Sequence, residues 1–164
     1  MRKGVPYSGG CLFVADKGKD QGRSLEHNRA EHVEGADTGR TDGARATLTR
    51  WTEEVAAGRI EAILQLYAPD AILVPTLSNE IIVTEAGRRR YFEFFLSDGN
   101  PSCTVESEES RTARNLGTIT IGGIYSFRFP RATGEDIVPA RFLFTFEELD
   151  AHWLITGHHS SRCV

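Results

Sequence analysis

The residues best suited to chemistry lie near the C-terminus, in the segment 153–161, which reads WLITGHHSS. A tryptophan opens a short apolar run that continues directly into paired histidines and serines, an unusual composition for a strand that only fills a core. A histidine that titrates near neutrality can act as an acid, a base or a hydrogen-bond donor to a ligand. The alternative is a core histidine whose hydrogen bonds are satisfied by Ser160, Ser161 or Tyr125.

A metal or cofactor is not predicted from these residues. Adjacent strand residues point to opposite faces, so His158 and His159 cannot readily chelate one ion, and no other His or Cys stands at ligand spacing. Cys11, Cys103 and Cys163 are widely spaced and form no C-x-x-C pair, which argues against a zinc site and a disulfide framework. The dinucleotide fingerprint G-x-G-x-x-G is also missing, so we expect no cofactor.

Composition limits the cellular setting and the partners. The chain has 164 residues, 40% of them hydrophobic and 26% charged, which suits one globular domain. Its net charge of -4 lacks the basic footprint of nucleic-acid binding. No apolar stretch approaches the ~20 residues that span a bilayer, and the run 11–15 is too short for a signal peptide. We therefore expect a cytoplasmic protein without nucleic-acid or membrane partners.

The elements that must position the histidines begin after a sharp change of composition near residue 44. Residues 1–43 are rich in Gly and charged side chains with almost no periodic apolar positions, which predicts a flexible polar tail before a domain over 44–164. Gly58 should separate two short helices. Their apolar positions recur at helical spacing, first Leu48, Trp51 and Val55, then Ile60, Ile63, Leu64 and Tyr67.

A strand and a third helix are predicted next. Pro69 and Asp70 should end the second helix, so that residues 71–76 form a strand. Thr84 can cap the third helix. The buried face of this helix would use four aromatic residues, Tyr91, Phe92, Phe94 and Phe95.

The chain after Gly99 has the composition of an antiparallel sheet. Segments 118–129, 137–148 and 153–160 are rich in Ile, Phe, Thr and Tyr and are separated by turn-type residues, which predicts a meander. Residues 103–106 are a candidate for one more strand. Gly122 and Gly123 inside a strand pattern indicate a bulge or a sharp bend, so the sheet should be strongly curved.

One predicted strand has two apolar faces. Phe142, Phe144 and Phe146 lie on one face, while Leu143 and the methyl group of Thr145 lie on the other. Three short helices can cover only one side of a curved sheet, and an apolar patch left on the other side usually marks an interface. This pattern predicts a homodimer through the sheet.

Five segments together resemble a known family: 66–71 (LYAPDA), 74–80 (VPTLSNE), 91–95 (YFEFF), 139–142 (PARF) and 153–161. In this order they are similar to bacterial members of the nuclear transport factor 2-like superfamily, closest to the calcium/calmodulin-dependent protein kinase II association-domain family. The resemblance covers about residues 44–164. It implies an α+β fold, a cone-shaped barrel with three N-terminal helices packed on a curved antiparallel sheet and a pocket between them. The kinase hub is joined to a kinase, for which this chain has no room, so a free-standing homo-oligomer is implied.

The resemblance also implies which side chains line the pocket. By comparison with the kinase hub, even-numbered positions of the last strand face the interior, which favours His158 and Ser160. Tyrosines on the surrounding elements would wall the cone, although tyrosines commonly lie there only because they are large and amphipathic. The predicted ligand pocket comprises Tyr67, Thr76, Tyr91, Phe95, Tyr125, Arg141, His158 and Ser160.

The cationic residues depart from the hub pattern. The hub pocket is lined by several arginines, one of them just after the final histidine, where this sequence has Ser160, so binding of acidic ligands is not carried over. Arg141 could supply a cation to the pocket, or it could point at the dimer interface or solvent. The run 88–90 of three arginines lies early in the third helix, where a charge run is usually a solvated face, and receives no role.

Two functions from different classes follow. The first is a homo-oligomeric association or small-molecule-binding domain for a hydrophobic or polar-headed ligand. The second is a cofactor-independent isomerase, dehydratase or cyclase that uses His158 as acid or base, and Asp70 could pair with it, although an Asp after Pro more often serves a turn. An open pocket at His158 with a tyrosine or carboxylate in reach would favour the enzyme, whereas a closed, packed site would remove it.

Overall fold

A computed structural model describes residues 25–76 and 78–163 of the chain, with the backbone alone for residues 25–37. Three helices and one strand come first along the chain, and four strands follow. In order they are α1 (Leu25–Ala57), α2 (Ile60–Leu64), β1 (Tyr67–Val74), α3 (Glu85–Phe95), β2 (Ser102–Ala113), β3 (Thr118–Arg131), β4 (Gly134–Leu149) and β5 (His152–Arg162). The predicted α+β class is confirmed.

The five strands form one sheet in the order β1-β5-β4-β3-β2. Strands β2 to β5 pair antiparallel with their sequence neighbours, which confirms the predicted meander. The edge strand β1 pairs parallel with β5, with Leu73 opposite His158, so the sheet is mostly antiparallel and has one parallel pair at this edge, which the sequence did not predict. A parallel pair needs a long crossover, and the chain between β1 and β5 provides it.

A β-bulge lies beside Gly122 and Gly123, where a bulge or a bend was expected. The register of β2 against β3 shifts between Val105 and Ser107, so the extra residue of the bulge lies on β2. A Cβ atom on Gly123 would come within 1.9 Å of the carbonyl oxygen of Ser107, so only glycine permits this close approach. The glycines therefore accommodate a bulge in the neighbouring strand and do not form it themselves.

The first two helices meet at Gly58, as predicted. Gly58 has a φ of +66°, a left-handed conformation that glycine adopts at low cost, and it ends α1. Leu48, Trp51 and Val55 are buried on the inner side of α1. Tyr67 does not continue α2, which ends at Leu64, but begins β1.

Helix α1 begins at Leu25, well before the predicted start of the domain. Of the predicted tail, residues 1–24 lie outside the described residues, while 25–43 are helical and not flexible coil. This segment interleaves glycines with Ala, Glu and Arg, which are good helix formers. The helix also contacts the sheet there, since a Cβ atom on Gly43 would come within 2.4 Å of the Trp153 ring. The domain boundary at residue 44 stays a prediction.

Pro69 and Asp70, expected to stop a helix, lie inside strand β1. The pairing of β1 with β5 is irregular between Tyr67 and Ile72, and an irregular edge strand tolerates a proline that cannot donate a ladder hydrogen bond. The guanidinium of Arg88 donates to the carbonyl oxygens of three residues of this stretch, Ala68, Pro69 and Ala71. Arg88 is therefore buried and does not belong to a solvated face.

Helix α3 begins as predicted, because the side chain of Thr84 accepts a hydrogen bond from the backbone N–H of Gly87 at 3.1 Å. Phe92 is fully buried, but Phe94 is 62% exposed, so the predicted buried face is wrong at this residue. Residues two apart lie on opposite sides of a helix, and Phe94 therefore points away from the side that buries Phe92.

The core lies between the helices and one side of the sheet, the inner face. The inner face carries Phe142, Phe144 and Phe146 of β4, all buried. The opposite side, the outer face, carries the alternate residues, and Leu143 is 48% exposed there. On β5, His158 pairs with Phe144 and lies on the inner face, whereas His159 pairs with Leu143 and lies on the outer face.

Candidate functional site

A buried chain of hydrogen bonds joins α1, β1 and β5 beneath the helices. The indole Nε1–H of Trp51 donates to the hydroxyl oxygen of Tyr67 at 3.0 Å. That hydroxyl lies 2.8 Å from Nδ1 of His158. Trp51 projects from the buried side of α1, Tyr67 from the first residue of β1, and His158 from the inner face of β5. Side chains from α1, β1 and β5 thus meet at the hydroxyl of Tyr67.

The direction of these hydrogen bonds assigns the tautomer of His158. Indole nitrogen can only donate, so the Tyr67 oxygen accepts from Trp51 and its own hydrogen is directed to Nδ1. Nδ1 is then the acceptor, and the imidazole hydrogen is on Nε2. Burial, together with a smaller contribution from neighbouring His159, lowers the pKa of His158 from 6.5 to about 3. His158 is therefore a neutral hydrogen-bond donor at physiological pH.

The Nε2 atom of His158 is buried and has no hydrogen-bond partner among the described residues. The imidazole stacks on the Phe144 ring at 4.0 Å between centroids, and the Trp51 ring meets it edge-on at 5.3 Å. Native proteins leave few buried polar atoms unpaired, because each costs free energy. An N–H group held between aromatic rings is thus prepared to donate to an acceptor that the described part of the chain does not provide.

A second hydrogen-bonded group lies two residues along the same strand. The Ser160 hydroxyl oxygen accepts from Tyr125 at 2.7 Å and from Thr76 at 3.0 Å. Burial raises the pKa of Tyr125, and the hydrogen bond to Ser160 only partly opposes this, so Tyr125 stays protonated. Thr76 is exposed, so the polar side chains reach the surface there. We call these six residues the interior polar cluster: Trp51, Tyr67, Thr76, Tyr125, His158 and Ser160.

Arg88 adds a positive charge beside the cluster. Its guanidinium carbon lies 5.6 Å from the centroid of the Tyr67 ring, and its Nε atom is buried without a hydrogen-bond partner in the described part of the chain. Burial raises the pKa of Tyr67 well above its usual value, and the Trp51 hydrogen bond and the Arg88 charge oppose that rise. Arg88 was not among the site residues predicted from the sequence. The available signal was its spacing, since Arg88 and buried Phe92 are at i, i+4 on α3.

Two predicted pocket residues, Tyr91 and Phe95, lie beside the cluster without a hydrogen bond to it. They stack on each other at 6.0 Å between centroids and are half-buried at the edge of α3. Phe95 also contacts the Phe127 ring at 5.2 Å, edge-on. Burial raises the pKa of Tyr91 to about 12, so its hydroxyl is neutral. These two rings form a rim between the core and solvent.

Arg141 does not join the interior residues, so its placement in the predicted pocket is corrected. It alternates with buried Phe142 along β4 and therefore lies on the outer face, where its guanidinium donates to the Arg162 carbonyl oxygen at 3.4 Å. Asp70 also lies away from His158 and lines a surface depression of about 400 Å³ with Ile72 and Glu147. An aspartate–histidine dyad is therefore not formed by these residues.

The interior polar cluster is enclosed. Only 5% of His158 is exposed, and the rings of Trp51, Tyr67 and Phe144 contact it. Surface cavities lie elsewhere, one of about 260 Å³ against α3 and one of about 510 Å³ between α1 and the β4–β5 turn. The open internal pocket expected at His158 is therefore closed in this structure.

Over residues 38–76 and 78–163, no group of three or more His, Cys, Asp or Glu side chains is arranged to hold a metal ion. None of the helices in the described ranges combines the length and the apolar composition needed to cross a bilayer.

Comparisons with known proteins show which family and which structures this chain is similar to. A model of the SnoaL-like domain family matches residues 44–164. A similar structure from Xanthomonas campestris, whose description names a calcium/calmodulin-dependent protein kinase II association domain, is 32% identical, covers 73% of this chain and 84% of its own, and has a TM-score of 0.67. A search of curated proteins finds no match.

Two further structures from Novosphingobium aromaticivorans share the fold at low identity. One, described as a nuclear transport factor 2-like protein with a cystatin-like fold, is 13% identical, covers 86% of this chain and 92% of its own, and has a TM-score of 0.68. The other, whose description names a scytalone dehydratase, is 8% identical, covers 80% and 89%, and has a TM-score of 0.69. At these identities the similarity shows the fold alone.

Proposed function

This chain belongs to the SnoaL-like domain family, and on that premise we propose that it is a stand-alone homo-oligomeric domain that binds a small molecule at the interior polar cluster. The expected resemblance to nuclear transport factor 2-like proteins is confirmed. Similar structures carry descriptions of both an association domain and a dehydratase. The choice between binding and catalysis therefore rests on the side chains of this chain.

The observation that carries the proposal is the unpartnered Nε2–H of His158. Leaving a buried donor unpaired costs about 1–3 kcal/mol. A ligand that places a carbonyl or another acceptor oxygen against Nε2 removes this cost, while its apolar part packs on the Phe144 and Trp51 rings. The proposed ligand is therefore a small, largely apolar molecule with one acceptor head group.

Access to His158 requires side chains to move, because the imidazole is enclosed. The core approaches solvent at the exposed end of the interior polar cluster, at Thr76, and at the half-buried rim of Tyr91 and Phe95. A ligand that enters there meets Ser160 first and His158 next, since both lie on the inner face of β5. The hydroxyls of Thr76 and Tyr125 would then orient a polar head group.

The outer face supports the homo-oligomeric part of the proposal. Ile72 and Leu143 are each 48% exposed and Ile137 is 52% exposed, all on this side of the sheet. Burying a fully exposed apolar side chain of this size contributes about 1.5–3 kcal/mol, and roughly half of that remains for each of these half-exposed residues, so a second copy of the chain packed on this face would stabilise the assembly. The Xanthomonas protein, similar over most of its length, is described as an association domain.

An enzyme that uses His158 as a general base is the second candidate. Its hydrogen bond to Tyr67 at 2.8 Å is the kind of positioning that acid–base catalysis needs. Against it, the lone pair on Nδ1 already accepts from Tyr67, and a pKa of about 3 makes the imidazole a weak base at neutral pH. The enclosed site also lacks the open pocket that turnover requires. Binding is therefore the better supported function.

Two substitutions of His158 distinguish a role in ligand recognition from a role in core packing. In His158→Gln the side-chain amide can place a donor near the former Nε2, whereas in His158→Asn the amide oxygen can still accept from Tyr67 but no donor reaches the Nε2 position. Native mass spectrometry, under gentle and then dissociating conditions, should release a small molecule from the wild type and His158→Gln, and much less from His158→Asn. His159→Asn, on the outer face, is the matched control.

Each result has a definite meaning for the proposal. Equal retention by the Asn and Gln variants would show that Nε2 does not recognise the ligand. An empty wild-type oligomer would contradict a retained ligand and support an association role alone. For the oligomer itself, Leu143→Asp should give monomers in size-exclusion chromatography with light scattering, whereas Leu116→Asp, at an exposed turn leucine, should not. A folded Leu143→Asp oligomer would place the interface elsewhere.

A further inference from the structure

The surface cavity of about 260 Å³ against α3 is separate from the interior polar cluster. It lies between the exposed side of α3 and the segment that precedes the helix. Its walls carry two opposite charges, Glu80 and Arg90, and three apolar or aromatic side chains, Ile82, Tyr91 and Phe94. Its volume is below the roughly 300–1,000 Å³ of pockets for drug-sized ligands, so it suits a ligand of amino-acid size.

The three arginines at the start of α3 differ in what they contact. Arg88 is buried and donates to backbone carbonyl oxygens of β1. Arg89 pairs with Glu61 and with Glu85. Arg90 lines the cavity and, among the described residues, has no ion-pair partner. Its guanidinium is thus available to a carboxylate from outside the chain.

Glu80 supplies the opposite charge on the facing wall. Its backbone N–H donates to the Ser78 hydroxyl at 3.0 Å, which holds the turn, while its carboxylate makes no ion pair over residues 38–76 and 78–163. Glu80 and Arg90 therefore border the same small cavity without pairing with each other. This arrangement is complementary to a ligand that carries both charges close together.

The walls of the cavity are held in place by backbone contacts. Leu73 and Ile82 exchange two backbone hydrogen bonds, of 2.8 and 2.9 Å, which fix the Glu80 segment against β1. Gly87 lets α3 approach closely, since a Cβ atom there would come within 2.8 Å of the Ile82 side chain. Phe94, 62% exposed, and half-buried Tyr91 supply aromatic surface, and the Tyr91 hydroxyl is neutral because burial raises its pKa to about 12.

We propose that this cavity binds a free α-amino acid with an aromatic side chain. The α-carboxylate pairs with Arg90, the α-ammonium pairs with Glu80, and the aromatic ring packs against Phe94 and Tyr91. Because the two charged groups of an α-amino acid are attached to one carbon atom, such a ligand can bridge the two walls, which the side chains do not do by themselves. This site is separate from the six residues of the interior polar cluster, although Tyr91 belongs both to its wall and to the rim beside that cluster.

Isothermal titration calorimetry with three probes tests the proposal on the full chain. L-Phenylalanine carries both charges, 3-phenylpropanoate lacks the ammonium group, and 2-phenylethylamine lacks the carboxylate. L-Phenylalanine should bind saturably, and each truncated probe should bind roughly tenfold or more weakly, because each loses a charge-assisted hydrogen bond. Absence of saturable binding of L-phenylalanine, or equal affinity for all three probes, would overturn the proposal.

Substitutions of the charged residues make the test specific to this cavity. Arg90→Gln should weaken L-phenylalanine and 3-phenylpropanoate roughly tenfold and leave 2-phenylethylamine unchanged. Glu80→Gln should weaken L-phenylalanine and 2-phenylethylamine by a similar factor and leave 3-phenylpropanoate unchanged. Arg89→Gln, which removes the neighbouring charge, should change none of the three affinities. Uniform weakening across the probes in either variant, or a loss in Arg89→Gln equal to that in Arg90→Gln, would place binding elsewhere.

Discussion

The inner and outer faces of the sheet differ in burial, although both are formed by the same strands. On β5, His158 is buried on the inner face with its pKa lowered to about 3, while its neighbour His159 is exposed on the outer face. On β4, buried Phe144 alternates with Leu143, which is 48% exposed. Neighbouring residues of one strand thus lie in different environments, one among buried aromatic rings and the next on a surface that is apolar but exposed to solvent.

The difference shows where each kind of function can be sought. On the inner face polar groups are few, buried and arranged in hydrogen bonds, so an unpaired donor there is exceptional and is the basis of the proposed ligand site. On the outer face the exposed apolar residues alternate with charged ones such as Arg141 and Glu147, as expected of a surface that associates. Substitutions on the inner face should therefore change stability and ligand retention, and those on the outer face should change assembly.

The largest expected effect is that of Phe144→Ala. Its ring contacts His158, Trp51 and two neighbouring phenylalanines on the inner face, so truncation should leave a cavity and lower the free energy of unfolding by about 3–5 kcal/mol. Leu143→Ala, one residue away on the outer face, should cost less than about 1 kcal/mol in the monomer. Urea denaturation of both variants, at a protein concentration low enough to keep each monomeric, checks the contrast. Equal losses would contradict the division between the faces.

The next effect is a loss of stability in acid that depends on His158. Its pKa falls from 6.5 in the unfolded chain to about 3 in the fold. Between these values the unfolded chain binds a proton that the folded chain does not, so stability is complete above pH 6.5 and falls as the pH drops towards 3. Between pH 7 and pH 5 the loss should be about 2 kcal/mol.

Urea denaturation at pH 7 and pH 5 measures this dependence. His158→Asn should remove most of the slope even if it lowers stability at both pH values, whereas His159→Asn should keep it. The pKa values of the Glu54 and Glu61 carboxyl groups are lowered from the ordinary 4.5 by their arginine partners, so the stability that they contribute is lost mainly below this pH window. An unchanged slope in His158→Asn would show that the imidazole is not held neutral by burial.

A smaller effect is expected from a single hydroxyl of the interior polar cluster. Tyr125→Phe removes the donor to Ser160 at 2.7 Å but keeps the stacked ring, and Thr76 remains to donate to the same oxygen. The free energy of unfolding should fall by about 1 kcal/mol. Thermal denaturation checks the loss, with Thr76→Val as the comparison at the exposed end. A larger loss in Thr76→Val would show that the exposed hydrogen bond is the more important of the two.

Much of the fold could be predicted because apolar periodicity reports which side of an element is buried. The spacing of Leu48, Trp51 and Val55, the cap at Thr84 and the strands after Gly99 are local signals, and the structure contains all of them. The edge strand was less predictable. Tyr67 continued a helical spacing and Pro69 resembled a helix stop, and only the pairing of β1 with β5 and the Arg88 guanidinium, both distant in sequence, select a strand there.

The site could be predicted in its parts but not in its connections. Strand alternation and the family resemblance favoured His158 and Ser160 as interior residues, and both are buried. The hydrogen bonds that join them to Tyr67, Tyr125 and Thr76 depend on how β1, β3 and β5 meet, which no local pattern records. Whether the space beside Nε2 is open or filled depends on the exact positions of the aromatic rings around it, which the sequence does not give. The expected pocket is closed here because the Trp51, Tyr67 and Phe144 rings enclose His158.

The smallest expected effect, that of Arg141→Ala, tests the boundary between the two faces. Arg141 was a candidate for the ligand pocket, but it lies on the outer face and makes only an exposed hydrogen bond to Arg162. Its removal should therefore change the free energy of unfolding by no more than about 0.5 kcal/mol. Native mass spectrometry should find as much small molecule retained as in the wild type. If retention falls while the oligomer persists, the separation of Arg141 from the ligand site is wrong.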